Sequence, residues 1–174
     1  MKGSLFESNS SENRARRDLV HDRCRAFSRS PSKGHFKKLK TIFQSCSDDL
    51  RIEYGFHCDY GNNIKFGERV YVNINCTILD GGNVNVGNDV LIGPNVQLIT
   101  INHDLDSSCR LEKHSYVRDI KIGNNVWIGA GVIILPGAII EDNVVIGAGS
   151  IVTGLLKSNR LYIGNPAKLN RKIG

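Results

Sequence analysis

The chain has 174 residues, 40% of them hydrophobic, with 23 Lys and Arg against 17 Asp and Glu for a net charge of +6. That length suits one domain with a substantial core, and no run approaches the roughly 18 apolar residues of a membrane span. The start, M-K-G-S-L-F-E-S-N-S-S-E-N-R, has no hydrophobic signal core.

The five cysteines (Cys24, Cys46, Cys58, Cys76, Cys109) are odd in number and form no C-x-x-C pair, so they read as reduced thiols in a cytoplasmic protein. The charge is uneven: residues 1–51 hold 12 Lys and Arg against 6 Asp and Glu, and the rest holds 11 of each. With few aromatics for base stacking and no nucleic-acid motif, the excess reads as solvated helical surface rather than a nucleic-acid patch.

In chain order, residues 12–29 lack Gly and Pro and place Leu19, Val20, Arg23, Cys24 and Phe27 at helical spacing. Ser30-Pro31-Ser32 and Gly34 break that pattern, and a second helix is predicted from Phe36 to about Cys46. The apolar face is thin, which favours a cap or packing arm over a membrane anchor. Residues 51–58 alternate loosely and read as a strand. Hexads then start at Tyr60, Phe66, Val72 and Ile78, slip by two at Gly81-Gly82, and resume at Val86, Ile92 and Leu98. From His103 to about Asp119 no hexad fits, so a polar loop is expected to project there.

Six hexads follow from Ile122, beginning at 122, 128, 134, 140, 146 and 152. Shifted by 18 residues, this stretch matches itself at 8 of 18 positions, with I-G-A-G at 128 and again at 146. A period of six within eighteen marks a hexapeptide parallel β-helix, each coil being three hexads on three flat sides. One aliphatic residue per hexad points inward, while Gly, Asn and Asp fill corners that need left-handed backbone angles. The 13 hexads make four to five coils, stacked about 4.8 Å apart. The expected fold is mainly β, a parallel β-helix taken as left-handed from the hexad type. The expected organisation is a helical cap over 1–50, the β-helix over 51–163 with its loop at 104–119, and a basic tail over 164–174.

His103 ends the last regular hexad before the loop, so a rigid strand can hold an imidazole whose pKa range suits a general base; an ordinary loop histidine is the bland alternative. Zinc is disfavoured, because His114 is 11 residues on within the loop and no closely spaced histidine pair exists. Gly129, Ala130 and Gly131 recur 18 residues later as Gly147, Ala148 and Gly149, which gives either plain corner geometry or a groove for a long thin ligand. Trp127, the only tryptophan, stands beside that seam as a candidate ligand wall. Thr153, Lys168 and Arg171 offer donors for phosphate groups.

The series C-D-Y-G-N-N-I at 58–64, N-x-N at 73–75, I-L-D at 78–80, I-G-P-N-V at 92–96, N-H-D-L-D at 102–106, I-G-N-N-V-W-I-G at 122–129, I-G-A-G-S-I-V-T at 146–153 and G-N-P-A at 164–167 resembles the maltose/galactoside O-acetyltransferases of the hexapeptide-repeat superfamily. The resemblance covers about residues 51–172 and extends faintly to G-S-L-F at 3–6. It implies a homotrimer with active sites between subunits and acetyl transfer from acetyl-CoA to a sugar hydroxyl, with no metal, membrane or nucleic-acid partner. His103 matches the family's catalytic base, acting without an acyl-enzyme, and Asn73 a residue that stabilises the transition state and contacts the acceptor. Asp59, Tyr71 and Ser8 match acceptor-side positions. Trp127, Ala130, Ala148, Thr153, Gly154, Lys168 and Arg171 match CoA-binding positions, and a corner N–H near Ala130 is the oxyanion candidate.

Ser8 and Gly81 stand where members carry acidic residues, Asp104 where many have Pro, Gly154 where Lys is frequent, and Lys168 where Arg is. These departures bear on the acceptor, for which an antibiotic or an oligosaccharide signal is the alternative. A zinc enzyme of the carbonic-anhydrase type and a non-catalytic trimeric scaffold are the readings from other classes.

Overall fold

The structure, a computed structural model, describes residues 3–174; Met1 and Lys2 of the expected cap segment lie outside the described residues. Its body is a three-faced parallel β-helix. The first face stacks Arg51–Ile52, Tyr71–Val72, Leu91–Ile92, Trp127–Ile128, Val144–Ile146 and Arg160–Ile163, and Lys168–Lys172 is added antiparallel at the end. The second stacks His57–Cys58, Thr77–Leu79, Gln97–Ile99, Ile133–Ile134 and Ile151–Val152. The third stacks Ile64–Phe66, Val84–Val86, Ile120–Ile122, Ile139–Ile140 and Leu155–Leu156.

Pairing in register puts one aliphatic column behind each face. On the first face Ile52, Val72, Ile92, Ile128 and Ile146 sit directly above one another, all buried. Most corner steps are taken in left-handed backbone, which short polar residues and glycine tolerate. Between the third and first faces Asn125, Asn143 and Asn159 have φ of 51°, 57° and 58°. Their side chains also form a ladder, Asn125 donating to Asn143 at 2.9 Å and Asn143 to Asn159 at 3.0 Å. Ile134 is fully buried, so Ile134→Ala is expected to cost about 2–5 kcal/mol, read as a lower denaturant midpoint with unchanged slope.

Five complete coils stand, and Arg160–Ile163 opens a sixth, where the hexads gave four to five. The difference arises at both ends. Arg51–Cys58 is already the first coil, and Tyr60 lies off the strands, buried in a corner. The corners at 59–63 and 80–83 each hold two extra residues, so pairing partners there are 20 apart, as in His57↔Thr77, against 18 for Ile133↔Ile151. The slip at Gly81-Gly82 was legible. Its twin after Cys58 was not, because Y-G-N-N-I imitates a hexad.

Helix α1 spans Ser11–Arg29 and α2 spans Lys33–Lys40, each with a serine N-cap, Ser10 and Ser32. The second helix stops short of Cys46; Phe43 instead leaves it to pack edge-on against Phe56 and Phe66, with centroids 5.9 and 5.1 Å away. Val20, Cys24, Phe27 and Leu39 are buried, while Leu19 is 46% exposed. Among the described residues no helix is long and apolar enough to cross a membrane, and all five cysteines are free.

The loop is more ordered than its polarity suggested. Ile101–His103 and Ser115–Val117 form an antiparallel hairpin, with the short helix α3 (Ser107–Leu111) between them. Ser4–Phe6 adds a third strand on Ser115–Val117. The tail likewise forms a strand, Lys168–Lys172, after a turn in which Ala167 N–H donates to the Ile151 carbonyl at 2.8 Å.

Candidate active site

His103 closes its strand opposite Ser115. Its Nδ1 lies 3.3 Å from the His114 carbonyl, and its backbone N–H donates to Asn102 Oδ1 at 3.1 Å. A proton on Nδ1 turned to that carbonyl leaves the Nε2 lone pair free to accept one. Arg110 ties the following turn by donating to the carbonyls of Asp104 and Leu105 at 3.0 and 3.1 Å. The Asp106 carboxylate caps α3, and the hydroxyl of Ser108 and N–H of Cys109 hold its pKa down at about 2.

His103 lines two hollows. One, of about 470 Å³, is walled by Asn102, Tyr116, Pro136, Thr153 and Gly154 among others. The other, of about 420 Å³, is walled by Ser8, Asn9, Arg110, Lys113 and Ser115. The imidazole therefore stands between the positions matched to CoA and a position matched to the acceptor.

The remaining candidates fall into two groups on different edges of the prism. His103, Thr153, Gly154 and Asp59 belong to the edge between second and third faces, from which the hairpin also emerges. Asn73, Ala130 and Ala148 stack at the edge between first and second faces, with Tyr71 and the 56%-exposed Trp127 on the adjoining strands. Lys168 and Arg171 lie exposed on the strand added to that first face. Asn73 lines neither hollow around His103. Within one chain these two groups of candidates stand apart.

On the Asn73 edge, Gly129 N–H donates to Ile146 and Gly131 N–H to Pro94, each at 2.8 Å. The exposed Ala130 N–H has no backbone acceptor among the described residues. A Cβ on Gly129 would meet the Ala148 nitrogen at 2.6 Å, so glycine is what lets the coils close there. The Asn73 Oδ1 accepts the Ile74 N–H at 2.8 Å. Tyr71 donates its hydroxyl to Glu53 at 3.3 Å.

Asp80, quoted above only within I-L-D, proves to be the anchor of a wide corner. It is fully buried, and its Oδ1 accepts the N–H groups of Asp59 and Tyr60 at 3.0 and 2.9 Å. Its Oδ2 has no partner, and burial pushes the carboxyl up to about 7 from an ordinary 3.8. The folded chain therefore keeps this proton to about pH 7, whereas the unfolded chain releases it near 3.8. Stability present below the lower value is lost as pH rises through the upper one, by about 4 kcal/mol. In chelator-containing buffer, Asp80→Asn is expected to show a flatter Tm profile than wild type between pH 5 and about 8; equal slopes would discard the assignment.

The stretch 119–154 matches the family model described as bacterial transferase hexapeptide (six repeats). The galactoside O-acetyltransferase of Escherichia coli is 42% identical over 135 residues, 78% of this chain and 66% of that one. A maltose O-acetyltransferase from Clostridium difficile 630 superposes with a TM-score of 0.95 at 36% identity, over 99% of this chain and 94% of that one. A galactoside acetyltransferase solved in complex with coenzyme A gives 0.94 at 37% identity, over 99% and 88%.

The chain belongs to the galactoside/maltose O-acetyltransferase family.

Within this family of hexapeptide-repeat acetyltransferases, the hairpin can be placed by its length. Strand partners across it, such as Trp127 and Leu91, are 36 residues apart, so the projecting segment is as long as one further coil. His114 does not turn its ring toward His103; its Nδ1 faces Glu112 at 3.2 Å. Among the described residues, the one cluster of metal-ligand type is elsewhere, at His21, His57 and Asp59.

Proposed function

We propose that this acetyltransferase moves the acetyl group of acetyl-CoA to a hydroxyl of a sugar by direct attack in a ternary complex. The acceptor O–H gives its proton to His103 Nε2 as its oxygen bonds to the thioester carbonyl carbon. The carbonyl oxygen becomes an oxyanion facing the Ala130 N–H and Asn73, where fixed donors stabilise developing charge. Collapse breaks the C–S bond, and the His103 proton passes to the departing CoA sulfur. The observation that carries the reading is His103 standing between two hollows on a strand that fixes it; fixed placement is what a general base needs.

A homotrimer completes the site, the His103 edge of one protomer meeting the Asn73 edge of the next. CoA then runs along Trp127, Ala130 and Ala148, with Thr153 and Gly154 across the groove and Lys168 and Arg171 near its phosphates. Ser8, Tyr71 and Asn73 face the acceptor, whereas the Asp59 carboxylate, matched to an acceptor position by resemblance, turns to His21. The coenzyme A complex of a family member and the names of the galactoside and maltose enzymes support donor and acceptor class. The protein works in the cytoplasm.

Incubation with acetyl-CoA and a panel of sugars, with free thiol followed colorimetrically, is expected to show CoA release that depends on acceptor. Release at one rate with and without every hydroxyl compound would sink the reading.

A further inference from the structure

Helix α1 meets the first coil where His21 faces His57 and Asp59, outside both hollows at His103. The two imidazoles face each other with centroids 4.5 Å apart. One ligand-type atom from each of the three residues lies within 4.8 Å of the other two. His21 Nε2 is buried and makes no hydrogen bond, a state that ordinarily costs about 1–3 kcal/mol. Its neighbour is Asp59 Oδ1 at 3.5 Å, too far for a good hydrogen bond.

That spacing suits a metal. A cation about 2.1 Å from each of two atoms 3.5 Å apart sees them at about 113°, close to the tetrahedral angle. The Asp59 backbone is fixed by its bond to buried Asp80, which anchors the stem that carries the carboxylate. The side chains of His21 and Asp59 are 26% and 19% exposed, which leaves a way in and room for a water ligand. The nearby cation Arg25 is paired with Asp22.

We infer that His21, His57 and Asp59 form a binding site for a divalent transition metal of the zinc type, with water as fourth ligand, which pins the first helix to the first coil. Two imidazoles and one carboxylate are a donor set that zinc takes and that magnesium and calcium do not favour. Local histidine spacing cannot signal such a site, because His21 and His57 are 36 residues apart on two elements.

The test uses the full chain, stripped with chelator and titrated with Co²⁺ and then Zn²⁺. One Co²⁺ per chain should bind with the visible absorption of a tetrahedral centre and be displaced by Zn²⁺. Saturating Zn²⁺ should raise Tm by about 5 °C or more, and Mg²⁺ should do neither. His21→Ala and His57→Ala should each weaken Zn²⁺ binding by about tenfold or more, while His35→Ala on α2 leaves it unchanged. His21→Gln, a conservative change on a partly exposed helix position, takes the place of either variant that fails to fold. No saturable binding below about 100 μM, or binding that survives loss of both histidines, overturns the proposal and leaves a plain ion pair between His21 and Asp59.

Discussion

His103→Ala is expected to lower acceptor-dependent CoA release by about 10²- to 10⁴-fold, the range for removing a positioned general base. The ring is exposed and its one contact is the long one to the His114 carbonyl, so little packing is lost. KM for acetyl-CoA should stay within about twofold, since binding of the donor rests on other residues. A variant retaining more than half the wild-type rate on every active acceptor would remove His103 from the mechanism.

The second large effect concerns the two edges. His103→Ala and Asn73→Ala are each expected to be nearly inactive as pure proteins. Unfolded together in equal amounts and refolded, they should regain about a quarter of wild-type activity. The reason is statistical: half of all protomers offer an intact His103 edge, half an intact Asn73 edge, and a site in a closed ring takes one from each neighbour. A monomer, or a site made within one chain, gives no recovery. Sedimentation of the same mixtures distinguishes failure to assemble from failure to complement.

The repeat was legible because a β-helix writes its geometry locally. Ile122, Ile128, Ile134 and their successors point inward wherever they fall, so the inward column can be read without knowing which coil lies above which. The wide corners were harder, since Tyr60-Gly61 has the look of a hexad start while its real task is to turn over Asp80. The hairpin was read as irregular because its strands pair with each other outside the hexad register and with Ser4–Phe6 more than 100 residues away, contacts that no local period records. The candidate site residues were picked out one by one through motif resemblance. Their division between two edges was not legible, because a residue's edge follows from its position within the coil and not from its neighbours in sequence. The cluster at His21 stayed hidden for the same reason.

The strand Ser4–Phe6 gives the hairpin that carries His103 an unusual dependence on timing. During synthesis its partner Ser115–Val117 is made more than 100 residues after it. Such long-range closure is slow relative to the stacking of neighbouring coils. The prism can therefore wind up while the segment around His103 still lacks its outer strand. Activity should then appear after the bulk of the β-structure during refolding, and bulky fusions placed just ahead of Gly3 should delay it further.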